Sequence, residues 1–210
     1  MEESLFMGKV TAAMTHDMQN VLAIISEAAG LAQDLLVMSD DSVFPLKNRL
    51  IEVVGKIEGQ VARGSEIVGE LNRFSHVPDD KKRQEDMDAV LNQTIFLSAK
   101  LSRLNQVTLK VEQLEEPIIL NYNPLKSRML VYRTLEFLTP LVGKGSEIIL
   151  KPVRFPDGKV GVCFKIKTST SGKFKLEEIV NISSWGDLES EFVVEGVSIR
   201  PSENNILLSY

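Results

Sequence analysis

Residues 4–38 carry apolar side chains at helical spacing, contain no proline, and have only Gly8 and Gly30 as weak points. That pattern predicts one long helix and constrains everything after it. With 3.6 residues per turn, Met14, Met18, Val21, Ile25, Ala28 and Ala32 fall on one stripe. His16 points nearly opposite to Met14, and Asn20 lies one turn beyond it on the same side, so the histidine is expected to face water while its helix faces a core.

The segment Thr15-His16-Asp17-Met18-Gln19-Asn20 therefore gathers reactive groups on one exposed turn. An imidazole, with an ordinary pKa of about 6.5, is partly neutral at cellular pH. Asp17 can accept one ring proton and leave the other nitrogen free to attack, and the electrophile that suits such a nucleophile is a phosphoryl group. Asn20 can orient a water toward a phosphorylated ring and favour hydrolysis. The same arrangement also describes ordinary solvated helix surface, and the residues by themselves leave both readings open.

Ser39-Asp40-Asp41-Ser42 reads as a turn. A second helix is expected from Phe44-Pro45 to about Phe74, with Leu46, Leu50, Val53, Ile57, Val61, Gly64, Val68 and Leu71 at alternating steps of three and four. The two helices form an antiparallel hairpin whose apolar stripes exceed what one hairpin can cover. A dimeric four-helix bundle, completed by a second copy of the chain, is the expected solution.

The charged run 79–86 follows Pro78 without apolar periodicity and reads as a hydrated linker. It divides the chain into a hairpin, 1–78, and a second domain, 87–210. In the latter the patterns predict helices at 87–104 and 124–142, and strands at 107–111, 118–121, 147–154, 160–168, 191–194 and 206–209. Helices packed on one mixed sheet make the fold class α+β.

Composition closes off several alternatives. With 210 residues, 43% of them hydrophobic and 25% charged, the chain has the makings of a sizeable core. The net charge is −5, and no cluster of basic and aromatic residues offers itself to nucleic acid. The apolar part of the first helix is interrupted at Thr15, His16, Asp17, Gln19 and Asn20, so neither a membrane span nor a signal peptide is expected, and the location is read as cytoplasmic. Cys163 sits in a strand-like apolar run as an inert thiol. His76 reads as a loop histidine, and no Cys or His cluster suggests a metal site.

The order of elements resembles the core of bacterial sensor histidine kinases, a phosphoacceptor hairpin followed by an ATPase-type α/β sandwich. The segment from Val10 to Ile25 resembles the phosphoacceptor box that reads His-Asp-Phe-Asn-Asn-Leu-Leu, with Met18 and Gln19 as departures. Leu71-Asn72-Arg73-Phe74-Ser75 resembles the end of the second bundle helix. The resemblance makes His16 the phosphorylated residue, Asp17 its acidic assistant and Asn20 the amide of phosphatase activity. Ala12, Ala13 and Gln19 would line the docking surface for a partner.

The ATPase-type half departs from the family. Arg133 and Phe137 stand where asparagines would help hold magnesium and ATP, and neither side chain can coordinate a hard cation. Thr168-Ser169-Thr170-Ser171-Gly172 replaces an Asp-x-Gly-x-Gly turn, and no glycine-rich phosphate loop follows before Gly196. A degenerate ATPase-like domain without bound ATP is the expectation. The resemblance then implies a histidine phosphotransferase, closest in organisation to those derived from such kinases. It would move phosphoryl groups between the receiver-domain aspartates of response regulators, with a hybrid histidine kinase as a further candidate partner and magnesium arriving with the receiver. A non-catalytic dimeric scaffold binding a kinase or response regulator, and a divergent ATP-dependent kinase, are the competing readings.

Overall fold

A computed structural model describes residues 2–37, 47–77, 84–168, 183–202 and 205–210. The first helix, α1, spans Glu3–Val37, and α2 spans Lys47–Ser75, as the apolar spacing predicts. The expected turn at 39–42 and most of the expected linker lie outside the described residues. The chain divides into two compact units: Gly8–His76, and Met1–Met7 together with Val77–Tyr210. This differs from a cut at residue 78, because Phe6 is fully buried and its ring meets that of Tyr132 at 5.4 Å.

Within Gly8–His76, the α1 stripe is seated as expected: Met14, Val21 and Ala28 are buried, and Met18, Ile25 and Ala32 half-buried. Ala28, Leu35 and Val53 form one cluster with Ala32 and Ile57 against it. In α2 the seam differs from the expected one. Val53, Gly64, Ile67 and Phe74 are buried, while Val61 and Val68 are exposed. Val61 and Val68 are seven residues apart and share one face of α2, turned away from the one that Val53, Gly64, Ile67 and Phe74 bury.

The expectation that nothing approaches a membrane span also needs correcting. α1 is long and apolar enough to cross a bilayer by length and composition. Its polar box at residues 15–20 does not interrupt the more apolar stretch that follows.

In the α/β unit, Glu85–Asp86 is not linker but strand β1, paired antiparallel with β3, Ile119–Leu120. Asp86 also caps helix α3, Met87–Leu97, by accepting from the Asp88 N–H at 3.0 Å. The single helix expected at 87–104 is two, since Ser98 ends α3 and α4 runs Ala99–Asn105 before Gln106 takes the left-handed conformation. Strand β2, Thr108–Val111, follows. Helix α5, Pro124–Leu138, opens with proline after Asn123, whose Oδ1 accepts from the Lys126 N–H at 3.1 Å.

Strands β4, Glu147–Arg154, and β5, Val160–Lys167, form a hairpin with full register. Residues 191–194, expected as a strand, belong instead to helix α6, Ser183–Val194. The Phe-Val-Val triplet has strand character, but Trp185, Leu188 and Phe192 recur at helical spacing and are all buried, and that periodicity prevails. Strand β6, Ser198–Ser202, has no counterpart among the expected strands, and β7, Asn205–Ser209, closes the chain.

The sheet order is β2-β4-β5-β7-β6, with β2 parallel to β4 and the other pairs antiparallel. Ile148, Leu150, Val162, Phe164, Ile206 and Leu208 face a core shared with Leu91, Leu130, Leu135 and Phe192. Each such side chain stabilises the fold by about 1.5–3 kcal/mol through burial. The six described helices and the mixed sheet make the chain α+β.

Candidate functional site

His16 lies in the middle of α1, so a rigid helical backbone sets its position. Its side chain is 58% exposed, whereas that of the adjoining Asp17 is 13% exposed. Both polar neighbours approach one edge of the ring: Nδ2 of Asn20 is 3.3 Å from Nδ1, and Oδ1 of Asp17 is 3.8 Å from the same nitrogen. The i, i+4 spacing stacks Asn20 on His16 along the helix face, as the sequence predicts.

This geometry distinguishes the two ring nitrogens. The Asn20 amide and the Asp17 carboxylate both stand at Nδ1, and the direction of the hydrogen bond between Nδ1 and Asn20 follows the ring tautomer. The tautomer that carries its proton on Nδ1 has its lone pair on Nε2, directed away from both supports, and a lone pair so placed can act as a nucleophile.

Of the other expected site residues, Ala12 and Gln19 are exposed, but Ala13 is buried and cannot line a docking surface in this chain. Its Cβ belongs to the inward side of the helix, which the sequence reading assigned to the rim. The exposed surround of His16 is made of Ala12, Gln19 and Asn20 with Thr15. The Thr15 hydroxyl donates back to the carbonyls of Thr11 and Ala12 at 2.8 and 3.2 Å, removing it from the reactive turn.

At Gly64 the two hairpin helices come close together. A Cβ there would lie 3.2 Å from Cγ1 of Val21 and 3.6 Å from Sδ of Met18, immediately beneath Asn20 in sequence. The role of this glycine was hidden in the sequence, where it looked like one more seam position.

In the α/β unit, Arg133 and Phe137 are both engaged by α6. Nη2 of Arg133 pairs with Oε2 of Glu191 at 3.1 Å, its Nη1 with Oε2 of Glu136 at 2.6 Å, and the rings of Phe137 and Trp185 are 5.8 Å apart. Lys126 adds an ion pair to Glu195 at 2.5 Å. Two positions of α5, Arg133 and Phe137, thus meet α6, and Lys126 meets the residue that follows it. The hydroxylated loop expected at 168–172 lies, beyond Thr168, outside the described residues.

Cys163 is buried, and desolvation raises its thiol pKa, consistent with an unreactive side chain. His76 is exposed at the end of α2. Among the described residues no group of three or more His, Cys, Asp or Glu side chains could hold a metal ion.

No family model and no curated protein matches the chain. Among solved structures it is similar to the Acinetobacter baumannii histidine kinase AdeS, at 12% identity and a TM-score of 0.42, covering 92% of this chain and 95% of that one. It is also similar to the histidine kinase ThkA, solved in complex with the response regulator protein TrrA, at 15% identity and a TM-score of 0.44. That match covers 96% of this chain and 60% of that one. A third, the cytoplasmic segment of histidine kinase QseC, has 10% identity and a TM-score of 0.40 and covers 71% of this chain.

Proposed function

We propose that the chain is a histidine phosphotransferase in two-component signalling, accepting a phosphoryl group on His16 from one receiver-domain aspartate and passing it to another. The observation that carries this reading is the one-sided engagement of the His16 ring, with Asp17 and Asn20 at Nδ1 and Nε2 left outward.

In the forward step the Nε2 lone pair forms a bond to phosphorus, the phosphorus–oxygen bond of the aspartyl phosphate breaks, and the receiver's carboxylate leaves with the electron pair. The ring acquires positive charge, which the Asp17 carboxylate beside the Nδ1 proton offsets. The reverse step delivers phosphoryl to a second aspartate. Magnesium arrives with the receiver, and no nucleotide takes part. The engagement of Arg133 and Phe137 by α6 supports a route without ATP.

A second copy of the chain completes the hairpin. Val54, Val61 and Val68 recur every seven residues on α2 at 42%, 51% and 54% exposure, and Leu22 and Leu36 of α1 are more than half exposed. Such a seam supports a coiled-coil partner.

The experiment is incubation of the purified chain with labelled phospho-receiver domains, and separately with labelled ATP and magnesium. Acid-labile label from the receiver alone, absent in a folded His16→Ala variant, is the expected result. Label from ATP restores a kinase, and none from either source leaves a scaffold.

A further inference from the structure

The face of the sheet that points away from the core carries an ordered pattern of charge. Because Ile148 and Leu150 of β4 enter the core, Glu147, Ile149, Lys151 and Val153 alternate to the other side. Register places Lys167 opposite Glu147 and Lys165 opposite Ile149. Glu112 extends the edge strand, its N–H donating to the Leu150 carbonyl.

Two triads result. Glu147 accepts from Lys110 at 2.5 Å and Lys167 at 3.4 Å, and Glu112 accepts from Lys151 at 2.5 Å and Lys165 at 2.7 Å. Each carboxylate is flanked by two ammonium groups, so each triad keeps one positive charge in excess. Arg200 of β6, whose guanidinium lies 5.7 Å from the Phe155 ring centroid, adds a third. In a chain of net charge −5, the described residues of this face sum to a positive charge. Lys110 and Lys167 are 61% and 67% exposed. The same face carries an interrupted apolar strip of half-buried residues, with Ile149 between the triads, Val153 beyond Lys151 on β4, and Leu207 across β5 from Lys151.

We propose that this face docks an acidic amphipathic segment of a partner protein, its carboxylates meeting the surplus lysine of each triad and its apolar side chains covering the strip. Charge complementarity selects an anionic occupant, and the strip selects a protein over a nucleic acid. A phosphate backbone rewards lysines not already paired and would leave Ile149 and Leu207 against hydrated phosphate. The triads also hold the ammonium groups in place before binding, which lowers the ordering cost. The inference is independent of the His16 reading.

The test uses the whole chain and a fluorescein-labelled peptide of about 16 residues with Glu and Leu at helical spacing, followed by anisotropy. Binding is expected to weaken about tenfold between about 50 and about 200 mM salt. Lys151→Gln combined with Lys167→Gln removes one lysine from each triad and leaves each carboxylate a partner. This variant, with an unchanged circular-dichroism spectrum, is expected to lose about tenfold in affinity, and so is Ile149→Thr. Lys100→Gln on α4 is expected to bind normally. Equal binding by all variants, or no binding of the peptide, overturns the proposal. So does binding of an oligothymidylate or a phosphatidylglycerol vesicle, in place of the peptide, that these same lysine substitutions abolish.

Discussion

The Asn20 side-chain nitrogen stands 3.3 Å from Nδ1 of His16, one helical turn away and on the same exposed face. The amide is thus beside the imidazole at Nδ1, and in the proposed phosphotransfer it would orient water toward the phosphoryl group. Asn20→Ala removes that group and leaves the nucleophile, so dephosphorylation should slow by about tenfold while phosphotransfer changes little. Pre-phosphorylated protein, followed with and without a receiver, separates the two rates. An equal loss of both would argue against this division of labour.

Arg128 is nearly buried and bonds in three directions: Nη2 to Glu85 at 2.7 Å, Nε to Gln93 at 2.5 Å, and Nη1 to the Pro124 carbonyl at 3.0 Å. Removing it takes the guanidinium away from the largely buried Glu85 carboxylate. Arg128→Ala should cost about 3–5 kcal/mol, read from the urea midpoint, and the double change Arg128→Met with Glu85→Met should cost less than that single one. A double variant less stable than Arg128→Ala would contradict the charge argument.

At Gly161 the neighbouring strand comes too close for any side chain. A Cβ there would sit 1.9 Å from the Leu208 carbonyl oxygen and 2.8 Å from the Phe155 ring. Gly161→Ala must part β5 from β7, and its cost should reach about 2 kcal/mol or more. Thermal unfolding measures it; an unchanged midpoint would mean the strands separate freely.

Tyr132 carries the clearest pH signature. Burial, with Glu136 adding to it, raises its phenol from 10.0 to about 12. The folded protein therefore holds the proton more tightly than the unfolded chain. The stabilisation is complete below pH 10 and is lost as pH climbs toward about 12. Burial likewise raises Tyr122 and Tyr210, which reinforces the trend. Urea midpoints should fall across this alkaline window, and fall less steeply in Tyr132→Phe.

The candidate site was legible because it is local. His16, Asp17 and Asn20 lie on one helix, and 3.6-residue periodicity suffices to place them together. The packing of α6 was not legible in the same way. Arg133 and Glu191 are far apart in sequence, and Val193-Val194 has the β-branched character of a strand although both residues end a helix, exposed, at 66% and 85%. Strand β6 was hidden by Arg200-Pro201, since proline demotes a strand reading. In the structure it occupies the edge of the sheet, where its missing N–H is tolerated. Ala13 shows the finer limit: helical spacing separates faces, but residues near a boundary depend on what packs beside them.

The placement of Phe6 against Tyr132 bears on how the chain is made. A ribosome emits Phe6 first, at roughly 5–20 residues per second, and its aromatic partner emerges only after both long helices have left the tunnel. The opening turn of α1 must therefore wait several seconds with an apolar ring unsatisfied. Synthesis order and folding order are thus decoupled at Phe6, whose burial against Tyr132 follows the synthesis of both long helices.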